Sequence, residues 1–230
     1  MQQELAGRVP ERALLSAALI FLITFLVLAV GATHHLFDGV DHAARVLVHR
    51  PSYPLLQSSM ATASFVGGQP GQIVVVCLGS VVLWSRRRRW SLALPVVMAG
   101  AGILQLFAKW LIDRPRPNLD AWGFPSAHVL SLVVLCGYIA YVISNTEARR
   151  RWRGPLMSVA AAIVGTVGFS RMYLDAHWLS DVLGGLSIGL AYLLAVVWLI
   201  ASMPARSEAH ARSCSDERSG VDVDSVVPAV

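Results

Sequence analysis

Long apolar stretches separated by short polar segments dominate this chain. Apolar residues run with few charges through about 13–34, 62–84, 91–112, 126–145, 155–171 and 178–203. Each approaches the roughly 20 residues that a helix needs to cross a hydrocarbon core. Lipid leaves backbone groups no partner but their own helix, so each run predicts a transmembrane helix and the fold class is all-α, polytopic, with six spans. The second run is interrupted by Gly67-Gly68-Gln69-Pro70-Gly71. It predicts either one broken helix or a short helix followed by a span over 71–84. The first run is longer than the apolar core of a signal peptide and no cleavage pattern follows it, so it reads as a retained helix.

Between the first two spans, Val40, Ala43, Ala44, Leu47 and Val48 recur at spacings of three and four. That period predicts an amphipathic helix over 38–50 lying on the outer membrane interface. His35, His42 and His49 are spaced by seven and are expected on its wet face, without the carboxylate support a metal site needs. The organisation expected is a polar lead over 1–12, a six-span unit over 13–203, and a disordered cytoplasmic tail over 204–230, rich in Ser, Asp, Glu and Arg. Gly185-Leu-Ser-Ile-Gly189 is a small-xxx-small pattern that lets helices approach closely, and Ala101, Gly102, Gly165 and Gly168 are candidates for the same role.

Charge then orients the bundle. Of the 19 Lys and Arg residues, thirteen fall before span one, between spans two and three, between four and five, and after six. The other six are Arg45, Arg50, Lys109, Arg114, Arg116 and Arg171. The positive-inside rule places both termini in the cytoplasm and the loops after spans one, three and five outside a cytoplasmic membrane. These arginines flank spans as topology anchors, so the basic balance does not predict nucleic-acid binding. The three cysteines, Cys77, Cys136 and Cys214, form neither a disulfide framework nor a zinc-type spacing.

Three polar constellations fall on that outer face. Lys109 is the only lysine and begins Lys109-Trp-Leu-Ile-Asp-Arg-Pro-Arg116-Pro117. A span-end lysine can simply snorkel, or pair with Asp113 one turn on. Beside a proline-stiffened Arg116, however, it suits the oxygens of a phosphoryl group. Pro125-Ser126-Ala127-His128 opens the fourth span, where free N–H groups and the helix dipole favour an anion. Ser126 reads equally as an N-cap. Ser170-Arg171, then His177 and Asp181, four residues apart and so expected on one helical face at the start of span six, form the third. A carboxylate on one imidazole nitrogen leaves the other free to attack, and an aspartate in a span is costly without such a role.

Together these stretches closely resemble the signature of the type 2 phosphatidic acid phosphatases, membrane lipid phosphatases related to vanadium haloperoxidases. That signature is Lys-x6-Arg-Pro, Pro-Ser-Gly-His and Ser-Arg-x5-His-x3-Asp. The order and internal spacings are kept, and the resemblance covers about residues 13–203. It departs at Ala127, where the family has glycine, so a methyl group approaches the anion pocket. The resemblance implies a haloperoxidase-like helical core and a lipid phosphate or diphosphate as substrate. It implies His177 as nucleophile, Asp181 orienting it, and His128 as acid and then base. Lys109, Arg116, Ser126, Arg171 and the Ala127 N–H would hold the phosphoryl oxygens. No metal or other cofactor is expected, because three fixed cations would supply the charge stabilisation that phosphoryl transfer needs. The rivals are a lipid-linked phosphotransferase using the same pocket and a catalytically silent membrane binding or transport protein.

Overall fold

A computed structural model of the chain describes residues 11–51, 53–144 and 151–202, the side chains of 85–87 and 89 excepted. The α-helices are α1 (Glu11–Thr33), α2 (Asp38–His49), α3 (Pro54–Val66), α4 (Gln69–Leu111), α5 (Ala127–Ser144), α6 (Arg153–Tyr173) and α7 (Leu179–Ser202). Five helical stretches are long and apolar enough to cross a membrane, and a bent pair makes a sixth. The 204–230 segment and residues 1–10 lie outside the described residues.

The second span is the broken one. Pro54–Val66 and Gln69–Trp84 meet at 47° across Gly67 and Gly68. Gln72 Nε2 donates to Gly67 O at 2.7 Å, so a side chain satisfies a carbonyl that the break leaves without a helical donor. The helix α4 then doubles back on itself. Eleven residues of straight helix would separate Ser80 from Ser91 by about 16 Å. Yet Ser91 Oγ donates to Ser80 O at 2.6 Å and Ser80 Oγ to Ser91 O at 3.3 Å. The two arms, up to Trp84 and from Trp90, therefore run antiparallel, with the arginine run at their turn.

The rest of the bundle packs α1 along α7, α7 against α5, and α5 against both α4 and α6. Small residues set the α5–α7 distance. A Cβ on Gly185 would lie 2.5 Å from Ser126 O, and one on Gly189 3.0 Å from Leu130 O, so backbone meets backbone there. A Cβ on Gly168 would meet side chains instead, Val182 Cγ1 at 3.1 Å and Val129 Cγ2 at 3.6 Å, and Ala101 is fully buried. Gly102 and Gly165 have open space where a side chain would be, so they are not close-approach positions. Buried Tyr138 and half-buried Tyr192 each donate a hydroxyl to a carbonyl of the second α4 arm, Trp90 O and Val97 O, which ties that arm to α5 and α7.

The amphipathic helix α2 sits the other way round from a helix with its polar face to water. Val40 and Leu47 are exposed, whereas Asp41 and Val48 are buried against the protein. Arg45, one turn beyond Asp41, makes a two-pronged pair with Asp175 at 2.7 and 2.9 Å. His42 and His49, two turns apart, share a face that meets bundle aromatics rather than water: His42 packs on the Trp178 ring at 4.9 Å and His49 stacks on Tyr173 at 5.6 Å, while His35, before the helix, pairs with Asp38.

Candidate active site

The second α4 arm ends, α5 begins, α6 ends and α7 begins at one end of the bundle, so all three constellations meet there. Lys109, in the last turn of α4, is buried and donates to the carbonyl of Trp122. It does not pair with Asp113, which lies exposed beyond the helix end. Trp122 takes a left-handed backbone (φ 63°), a conformation rare for a bulky residue. Next to it Gly123 donates to Arg114 O at 2.7 Å, and a Cβ there would lie 3.3 Å from both Arg116 Cγ and Asp181 Oδ2. Only a glycine lets the loop carrying Arg116 press so close to the α7 carboxylate.

Ser126 stands where an N-cap stands, because its carbonyl accepts from Leu130 N–H at 3.1 Å. Its hydroxyl does not cap: Oγ is buried and has no partner. The Ser126 N–H donates to Asp181 O at 2.9 Å, which locks the start of α5 to the start of α7. Ala127 and His128 are half-buried in the first turn of α5. A Cβ on Gly68 would come within 3.0 Å of His128 Nε2, so the break in the second span rests on this imidazole. Arg171, near the end of α6, is held by Nη1 donating to Ser64 Oγ of α3 at 2.6 Å.

His177 and Asp181 meet through a capping turn rather than along a helix face. Trp178 O accepts from Val182 N–H, so Trp178 is the N-cap of α7 and His177 precedes the helix. Asp181, in the first turn, reaches back so that its Oδ2 accepts Trp178 N–H at 2.9 Å and faces His177 Nδ1 at 3.4 Å. This is the backward half of a capping box with aspartate as the acceptor. Nδ1 is thereby the donor side of the ring and Nε2 is left free. Both residues are buried, and burial pushes the imidazole down to about 4 against the hydrogen bond and charge of Asp181. At neutral pH the ring is uncharged and its free nitrogen holds a lone pair.

Lys109, Arg116, Arg171 and the two imidazoles are near enough to feel one another's charge. Among the described residues, four buried side-chain polar atoms lack a partner: Gln105 Oε1, Arg116 Nε, Ser126 Oγ and Arg171 Nε. Three belong to residues that the motifs mark for holding an anion. Buried donors left unpaired cost free energy, and their clustering marks a place where a further acceptor fits. Beside His128 a cavity of about 790 Å³ extends between α3, both arms of α4 and α5. Gln69, Gln105, Ala127, His128 and Ser131 line it together with Phe65, Ile73, Val76 and Met98. Such a space accepts an apolar group attached to a polar one.

Sequence reasoning passed over four residues of this site. Ser64 grips Arg171. Arg114 donates to Asp181 Oδ1 at 3.1 Å and to Asp41 Oδ2 at 2.8 Å, and Ser180 joins both. Nothing in local spacing pairs residues so distant along the chain. The hydrogen bonds from Arg45 hold the Asp175 carboxyl below the usual carboxylate range, clasping α2 to the turn before His177. Asp120 closes a turn with Asn118 and Arg116.

The family description "PAP2 superfamily" matches residues 90–203, which carry all three constellations. Phosphatidylglycerophosphatase B of Bacillus subtilis is 27% identical over 177 residues, covering 72% of this chain and 86% of that protein. YbjG of Escherichia coli is 31% identical over 143 residues, covering 55% of this chain and 68% of that protein. The crystal structure of a transmembrane PAP2-type phosphatidylglycerolphosphate phosphatase from Bacillus subtilis superposes with a TM-score of 0.76 at 23% identity. It covers 81% of this chain and 97% of that one, and so establishes the fold.

Proposed function

Because the chain belongs to the PAP2 superfamily, we propose that it is an integral membrane phosphatase hydrolysing a lipid phosphate or diphosphate through a phosphohistidine at His177. The observation that carries this reading is the convergence on one spot of two imidazoles, three cations and unpaired buried donors on Arg116, Ser126 and Arg171.

The chemistry follows from the donors and acceptors present. Lys109, Arg116, Arg171, Ser126 Oγ and the Ala127 N–H hold the phosphoryl oxygens, and their charge matches the transition state more than the ground state. The His177 Nε2 lone pair attacks phosphorus while the lipid oxygen departs with the bonding pair and takes a proton from His128. Asp181 keeps the other ring proton at Nδ1 and stabilises the positive charge that grows on the ring. A water then gives a proton to His128 and attacks phosphorus, the N–P bond breaks, and phosphate leaves. No step calls for a metal, since fixed cations supply the charge. The cavity beside His128 suits the lipid part of the leaving group.

The cation asymmetry supports placing both termini in the cytoplasm and the site at the outer face of a cytoplasmic membrane. Phosphatidylglycerol phosphate is the first substrate to assay, given the name of a relative of which this chain covers 86%, followed by undecaprenyl diphosphate and phosphatidic acid. Purified protein in detergent is expected to release phosphate from at least one of them. His177→Ala lowers that rate by at least about 10³-fold, as loss of a nucleophile does. Turnover retained in His177→Ala overturns the mechanism.

A further inference from the structure

The polar face that α2 turns toward the bundle ends on the machinery of His177. Asp41 is only 2% exposed, a severe cost for a carboxylate unless it is paired and hydrogen-bonded. Its Oδ1 accepts Ser180 N–H at 2.9 Å, and its Oδ2 accepts Ser180 Oγ at 2.6 Å and Arg114 Nη2 at 2.8 Å. The other prong of the same guanidinium, Nη1, donates to Ser180 Oγ at 2.6 Å and to Asp181 Oδ1 at 3.1 Å. Arg114 thus sits between two buried carboxylates, with the half-exposed Asp38 at 3.4 Å as a third, weaker partner. The Trp178 ring lies over its charge at 5.7 Å.

We propose that Asp41 and Arg114 are positioning residues for the phosphatase reaction, setting both the orientation and the effective charge of Asp181. The proposal rests on the functional reading above. Its logic is that of shared charge. One guanidinium divided between Asp41 and Asp181 leaves a net negative charge among the three groups. Asp181 therefore keeps acceptor strength toward His177 Nδ1–H, where a private arginine would neutralise it. As the N–P bond forms the imidazole gains positive charge, and that residual negative charge stabilises it. Asp41 also fills the Ser180 N–H, one of the unpaired donors in the first turn of α7, and so holds the turn that carries Asp181. The other groups facing His177 are Lys109 from α4, His128 from α5 and Arg171 from α6. All are cationic or neutral, and Asp181, linked to Asp41 through Arg114, is the carboxylate that meets the ring.

A clamp that merely stabilises the fold would contain the same bonds, and a double-mutant cycle separates the two roles. For the full chain in detergent acting on a short-chain lipid phosphate, Asp41→Asn is expected to lower kcat by about 10–10²-fold while KM stays within about twofold, the signature of an interaction made in the transition state. If Asp41 acts through Asp181, the same substitution in an Asp181→Asn background costs less than about threefold further, because coupled sites are not additive. Equal losses in both backgrounds, or an unchanged kcat in Asp41→Asn, overturn the proposal. Thermal unfolding in the same detergent checks that each variant is folded. Should Asp41→Asn fail there, Ser180→Ala repeats the cycle, since it removes the hydroxyl between Arg114 and Asp41 but keeps the backbone N–H. A wild-type protein releasing no phosphate refutes the functional reading beneath the proposal, whereas an active wild type with additive losses refutes the relay alone.

Discussion

Alanine in place of Gly185 tests whether the α5–α7 distance sets the catalytic geometry. The added methyl would stand 2.5 Å from Ser126 O and 3.3 Å from Ser126 C, both backbone atoms at the start of α5. An ordinary carbon-to-carbonyl-oxygen contact is about 3.3–3.6 Å, so the two helices must separate locally by about 0.8–1.1 Å. No flexible side chain can yield in their place. The Ser126 N–H to Asp181 O bond, now 2.9 Å, then stretches past useful length, and Ser126 and His128 move away from His177 together. Misplacement of about 1 Å in a reacting constellation costs on the order of 10²-fold in rate. We therefore expect Gly185→Ala to lose about 10–10²-fold in kcat on a short-chain lipid phosphate while remaining folded. Gly165→Ala, at a helical position with open space around it, is the control. It should keep full activity and gain up to about 1 kcal/mol of stability from helix propensity. A Gly185→Ala enzyme with wild-type kcat would refute the argument that backbone contact sets the site.

Other substitutions separate binding from folding. Ser126→Ala removes a buried hydroxyl with no protein partner, so thermal stability should be unchanged or slightly raised while competitive inhibition by inorganic phosphate weakens about tenfold; a clear loss of stability would show that the hydroxyl has a structural partner. His177, with its pKa near 4, should give a neutral imidazole signal at pH 5.5 in ¹⁵N-histidine spectra, identified by its absence in His177→Gln; an imidazolium signal there contradicts the burial argument. Because its folded pKa lies below its unfolded value of about 6.5, the unfolded chain binds the extra proton between those values. Stability should therefore fall as pH drops from about 6.5 to 4, and less steeply in His177→Gln. Asp175→Asn breaks the partly exposed clasp to Arg45 and should cost no more than about 1 kcal/mol in unfolding measurements, with kcat within about threefold. A larger loss of kcat would give that clasp a part in the chemistry.

Much of the site was legible because its residues come in tight local spacings. Lys109 to Arg116, Ser126 to His128 and Arg171 to Asp181 each follow an apolar run or lead into one, and antiparallel spans bring those ends together. The six spans were legible for the same reason, since a run of apolar residues has one stable solution in lipid. What stayed hidden depends on tertiary geometry. Asp41 reads as one polar position of an amphipathic helix, and only the packed structure shows that its polar face is turned inward. Arg114 counted as one more outer cation because its partners lie 67 and 73 residues away. The glycines at 67 and 68 announced a break, but not that the break would rest on His128. His177 and Asp181 were expected on one helical face, whereas the capping turn of α7 joins them. Helical periodicity continues through such a cap, so spacing alone does not separate the two arrangements.

The central claim is that His177 takes the phosphoryl group. Purified protein mixed with a lipid substrate carrying ³²P in the scissile phosphoryl group, quenched within milliseconds into alkali and digested, tests it directly. The account predicts label on the peptide containing His177, acid-labile as a phosphoramidate is, and none in His177→Ala. Label on another residue, or an active enzyme that never carries label, would contradict it.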